Sequence, residues 1–138
     1  MMYFADDNNN LTVQRMTNGT LPDVPFVVLK NKALGKKYEL SVLFPHGELS
    51  RELHRTWKQK NDPVNILSFP LDEYSGEIII TLETARREAK KYGRTYREHL
   101  IALYIHGLAH LKGYDHSDEM DAYEASLHSF LARYLKNK

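Results

Sequence analysis

Leu100 to Ile105 is apolar on every side, so a helix through it cannot lie on a surface and must run through the middle of a core. The boundaries of that helix are written locally. Thr95 stands three residues before Glu98, the spacing of a capping box, and Gly113 supplies the stop. A central helix has to be covered on all sides, and 138 residues, 42% of them hydrophobic, suffice for one such core. The expectation is a single domain over residues 1–138, with no repeat, low-complexity tract or linker to divide it.

The remaining segments read as the layers around this helix. Leu11 to Met16, Tyr38 to Phe44, Asn65 to Leu71 and Glu77 to Thr81 are short apolar or alternating runs of strand character. Pro70 puts the Asn65–Leu71 run at a sheet edge or ends it early. Helices are expected from Asp23 to Gly35, Glu48 to Lys60, Leu82 to Tyr92 and Asp118 to Leu135. In the second of these, Leu49, Leu53 and Trp57 form one apolar stripe. The polar opening Ala5 to Asn10 gives no clear element. The order is that of an α+β fold, a small mixed β-sheet covered by about five helices.

His106 and His110 are four apart on the central helix, so their rings leave one face a turn apart and can meet one ion. Gly113 then breaks the helix, and His116 follows where a tight turn can return a third imidazole to the same point. The string His106-Gly107-Leu108-Ala109-His110-Leu111-Lys112-Gly113-Tyr114-Asp115-His116 has the histidine and glycine spacing of the metzincin zinc motif, H-E-x-x-H-x-x-G-x-x-H. Its glutamate position holds Gly107. Three neutral imidazoles leave zinc an open position, as in catalytic rather than structural sites, and one Zn2+ per chain is expected. The chain has no cysteine, which removes thiolate ligands, a cysteine nucleophile and a disulfide framework together. Asp115 could orient a ligand imidazole through its other nitrogen, or cap the last helix. His99, about two turns before His106, could rim the site but is read as solvated, and His46, His54 and His128 have no ligand spacing.

Bulk charge names no partner, since 19 Lys+Arg stand against 18 Asp+Glu. Two local basic clusters remain: Arg51, Arg55, Lys58 and Lys60 leading toward Asn65, and the residues from Arg86 to Arg97. With a metal cleft between them, they suit phosphate. No apolar run approaches a membrane span and the start has no basic leader, so a soluble, cytoplasmic protein without a membrane partner is expected.

The histidine string also resembles the signature of the YbeY family, bacterial endoribonucleases of ribosomal RNA maturation, which is H-G-x-L-H-L-x-G-Y-D-H. This chain reads HGLAHLKGYDH and departs at Ala109, where the family usually has leucine. Residues Thr56 to Pro70, TWKQKNDPVNILSFP, resemble the family's T-Y-R-G-K-D-x-P-T-N-V-L-S-F-P, and Gly76 to Ile80 resembles its next strand. The resemblance runs from about Tyr38 to Leu131 and implies a zincin-like fold with the metal site on the central helix. By position it makes His106, His110 and His116 the zinc ligands and sets Ser68 on the strand facing the cleft, to bind substrate. Lys58 occupies the place of a functionally important arginine, keeping the charge without the bidentate fork, which Arg55 could supply. His54 stands for a family asparagine.

The function this implies is a zinc-dependent, single-strand-specific endoribonuclease acting on ribosomal RNA and the small ribosomal subunit, at the 3′ end of 16S RNA and in ribosome quality control. Lys58 would steady phosphate charge. Two alternatives come from other classes. A zincin-like metallopeptidase fits the histidine spacing but lacks the glutamate such enzymes use as general base. A zinc-stabilised ribosome-assembly factor would bind without catalysis.

Overall fold

Alternating burial along three neighbouring strands builds the floor on which the central helix lies. In the computed structural model, which describes residues 2–16, 21–49, 52 and 66–138, the strands are β1 (Met2–Asp6), β2 (Leu11–Arg15), β3 (Glu39–Phe44), β4 (Ile66–Asp72) and β5 (Ser75–Ile80). The longer helices among the described residues are α1 (Phe26–Leu34), α2 (Leu82–Lys91), α3 (Tyr96–Lys112) and α4 (Asp118–Lys136). The five strands form one sheet in the order β1-β2-β3-β5-β4. Its inner pairs are parallel and its two edge strands are antiparallel to their neighbours. This is the mixed α+β architecture expected from the order of elements.

Register explains which face is apolar. Leu11 lies opposite Leu40, Val13 opposite Val42, and Val42 opposite Ile78, so one face of the sheet carries Leu11, Val13, Leu40, Val42, Ile78 and Ile80, all buried. Helix α3 crosses this face. Leu100, Tyr104, Ile105 and Leu108 on it are completely buried, as the all-round apolar run requires. Helices α1, α2 and α4 pack around α3 and close the core. Tyr104 Oη donates to Phe26 O at 2.9 Å, and its ring meets Phe26 edge-on, joining α3 to the start of α1. Among the described residues no helix is long and apolar enough to cross a membrane.

The N-terminus departs from expectation. The opening residues form a strand, β1, followed by a 3-10 turn at Asp7–Asn9, and Asn10 in the left-handed region lets the chain reverse into β2. Lys30, fully buried in α1, holds this corner: its ammonium donates to Asn9 O and, at 2.9 Å, to Lys36 O. Burial pushes this ammonium below its usual range, against the pull of Asp6. β4 lies at the sheet edge, where Pro70 is tolerated for want of a ladder donor. The helix expected from Glu48 to Lys60 falls mostly outside the described residues, and with it Arg55, Lys58 and His54; residues 47–49 are helical.

Candidate metal centre

Helix α3 delivers two of the three histidines. Its capping box is complete: Thr95 Oγ1 accepts from Glu98 N at 3.0 Å, and Glu98 Oε1 accepts from Thr95 N at 2.9 Å. These bonds hold the Glu98 carboxyl below its usual range. The other end stops at Gly113, whose φ of 113° a side chain would oppose. There Gly113 N donates to His110 O at 3.0 Å and Tyr114 N to Ala109 O at 3.1 Å, so the chain turns back at once. The reversal brings His116 against the helix. One nitrogen from each of His106, His110 and His116 lies within 4.8 Å of the others, and the ring centroids are 4.7 to 5.3 Å apart.

On two of these histidines one ring nitrogen is bonded to an oxygen. His106 Nδ1 lies 3.2 Å from Glu124 Oε2, and His110 Nδ1 lies 3.1 Å from Tyr114 O. Carboxylate and carbonyl oxygens accept, so both Nδ1 atoms carry the hydrogen and both Nε2 lone pairs are left for a metal. His110 is pushed below the usual 6.5, first by burial and then by the neighbouring His106 and His116, while Tyr114 O and Asp115 pull the other way. Clustered imidazoles, two of them with Nδ1 held by an acceptor, are the donor set that zinc takes. The residues present fit the ion, and among the described residues the cluster consists of these three histidines.

Ser68, on edge strand β4, points at α3. Its hydroxyl donates to Gly107 O at 3.3 Å, which sets it beside the helix turn that carries the ligands. Gly107 itself is the joint between helix and sheet. A methyl group added there would stand 3.0 Å from Cδ1 of both Ile66 and Ile78 and 3.1 Å from Ser68 Oγ. The missing metzincin glutamate is therefore a packing difference as well as a chemical one: a side chain here would have to shift the tips of Ile66, Ile78 and Ser68.

Asp115 is exposed, and its carbonyl accepts from Ser117 Oγ at 2.9 Å. The cap of α4 is Ser117, whose hydroxyl accepts from Met120 N, so Asp115 does not fill that place. The ring partners of His106 and His110 are Glu124 and Tyr114, which the sequence reading missed; Glu124 is eighteen residues from its histidine, and only the docking of α4 joins them. His99 corrects a second expectation. It is 4% exposed rather than solvated, with Arg94 Nη1 donating to Nδ1 at 3.2 Å and Nε2 donating to Glu88 Oε1 at 3.1 Å. It pins α3 to α2 and takes no part in the metal cluster. His128 is exposed on α4, and His46 Nδ1 accepts from Leu49 N.

The chain resembles known proteins along most of its length. Residues 4–131 match the family model described as Endoribonuclease YbeY, so the likeness reaches into β1, well before Tyr38. Endoribonuclease YbeY of Sulfurihydrogenibium sp. is 34% identical over 123 residues, covering 83% of this chain and 80% of that one. The protein of that name from Clostridium acetobutylicum is 28% identical over 147 residues, covering 88% and 89%. That from Agrobacterium fabrum is 39% identical over 95 residues, an alignment spanning 62% of this chain and 56% of the relative. The solution structure of TM1509 from Thermotoga maritima superposes with a TM-score of 0.56 at 26% identity, covering 80% of this chain and 79% of that one. With a family match over nearly the whole chain and a shared fold, the chain belongs to the Endoribonuclease YbeY family and is by class a nuclease, a hydrolase.

Proposed function

We propose that this protein is a zinc-dependent, single-strand-specific endoribonuclease of ribosomal RNA maturation, acting at the 3′ end of 16S RNA and in ribosome quality control. On this reading it works in the cytoplasm on the small ribosomal subunit, with residues 1–138 as one catalytic domain. The observation that carries it is the convergence of three imidazole nitrogens within 4.8 Å in a chain of this family.

His106, His110 and His116 would hold the ion. Bound there, zinc supplies Lewis acidity toward a phosphodiester oxygen and lowers the pKa of a water. The chain's own residues do the rest. His110 stays neutral to lower pH than a free imidazole, so it keeps its lone pair under mildly acidic conditions. Ser68, beside the ligand helix, is the substrate-side hydroxyl of the cleft, and Lys58, with Arg55 near it in sequence, steadies the charge of the scissile phosphate. Neither Lys58 nor Arg55 lies among the described residues, and their roles rest on the family resemblance. Gly107 leaves its position without a carboxylate, so proton transfer does not pass through the residue a zincin peptidase would use.

The test is to incubate metal-loaded protein, chelated protein and the His110→Ala variant with structured ribosomal RNA and with unfolded casein. Cleavage of single-stranded RNA by the loaded wild type alone is expected. Casein cleavage would assign the chain to the peptidases instead, and RNA binding without cleavage by loaded protein would make it an assembly factor.

A further inference from the structure

We infer that Glu124 is a positioning residue for the metal centre, fixing the tautomer and the plane of the His106 imidazole from the last helix. The inference rests on the reading of His106, His110 and His116 as metal ligands and goes beyond it in assigning a function to α4. His106 sits on α3 with 27% of its side chain exposed, and Glu124 on α4 with 20% exposed, so the bond between them is partly withdrawn from solvent. An imidazole in the open exchanges its hydrogen between two nitrogens and rotates about χ2. A carboxylate oxygen 3.2 Å from Nδ1 accepts only, which keeps the hydrogen on Nδ1 and the lone pair on Nε2.

The rest of α4 is built to hold Glu124 in place. Leu127 and Leu131 are buried on the side of α4 that enters the core, and Met120, one turn before Glu124, is buried too. Tyr123, the residue beside Glu124, stacks on Tyr114 with centroids 4.7 Å apart, and its hydroxyl donates to Ala33 O at 3.4 Å. Tyr114 is the residue whose carbonyl accepts from His110 Nδ1. A single helix therefore reaches two of the three imidazoles, His106 directly through Glu124 and His110 through the aromatic stack. An interhelical contact serving stability alone would not need to end on the second nitrogen of a ligand imidazole on one side and on the ligand-bearing turn on the other.

The experiment compares wild type, Glu124→Gln, Glu124→Ala and His106→Ala in two ways. Zinc affinity is measured by competition with a chromophoric chelator. The His106 tautomer is read in the metal-free proteins from long-range proton–nitrogen NMR correlations at about pH 8.5, where imidazoles are neutral. Glu124→Ala is expected to bind zinc roughly 10- to 100-fold more weakly and to show His106 as a mixture of tautomers. Glu124→Gln, which retains an accepting oxygen, should recover part of the affinity and most of the Nδ1–H form, and it serves if the alanine variant does not fold. Wild-type affinity together with an unchanged tautomer in the glutamine and alanine variants would overturn the proposal, whatever happens to thermal stability. Failure of the underlying reading looks different: His106→Ala would then bind zinc as tightly as wild type.

Discussion

His110 carries the clearest electrostatic signature of the three converging histidines. Burial and its imidazole neighbours hold it below 6.5, so the unfolded chain binds that proton more readily than the folded one. Stability of the metal-free protein should therefore rise with pH through the window between the folded value and 6.5, and should be lost on acidification through it. Urea unfolding at several pH values measures this slope, and His110→Ala should remove its share; an unchanged slope in the variant would contradict the assignment. The same residue matters for metal content. Purified protein is expected to carry close to one zinc per chain, with His106→Ala or His110→Ala losing most of it, because two imidazoles are too few for tight tetrahedral binding. Elemental analysis decides, and full retention in either variant would refute the ligand set. Lys58→Ala should weaken RNA cleavage while leaving zinc in place, and Lys58→Arg should keep or improve cleavage through its planar fork. An alanine variant that cleaves like wild type would transfer the phosphate contact to another cation.

Helix α3 links local sequence to the site most directly. Its start is fixed by two reciprocal bonds and its end by a glycine in the left-handed region, so two of the three imidazoles are placed by signals within nineteen residues. Thr95→Ala should cost about 1 kcal/mol of stability, the usual worth of an N-cap, with little change in zinc affinity, since the cap lies three turns from His106. Denaturation midpoints and a zinc titration on the same variant test both halves. What was legible in the sequence is what such short-range chemistry writes: the capping box, the stop at Gly113, the histidine spacing, Pro70 at an edge. The illegible parts depend on contacts between distant segments. β1 is only five residues long and runs straight into the polar stretch from Asp6 to Asn10, so its pairing with β2 is what marks it as a strand. His99 looks solvated until Glu88 and Arg94 are brought to its two nitrogens. Glu124 is one of several acids on α4, and only its docking against α3 singles it out.

At the scale of the molecule, helix and sheet meet closely at Gly107, where a larger residue has to shift Ile66, Ile78 or Ser68. Gly107→Glu, the change that would complete the metzincin string, is predicted to yield a protein destabilised by roughly 1–3 kcal/mol through overpacking, with no casein hydrolysis. Thermal unfolding and a protease assay check the two outcomes, and a stable variant that cleaved casein would mean the joint is looser than its geometry. If the joint holds, this scaffold and the metzincin peptidases that share its histidine spacing are separated by more than a codon. A glutamate at this position would have to be accompanied by new rotamers or smaller side chains at Ile66, Ile78 or Ser68. The glycine thus ties the identity of one motif position to the side chains of the sheet beneath it.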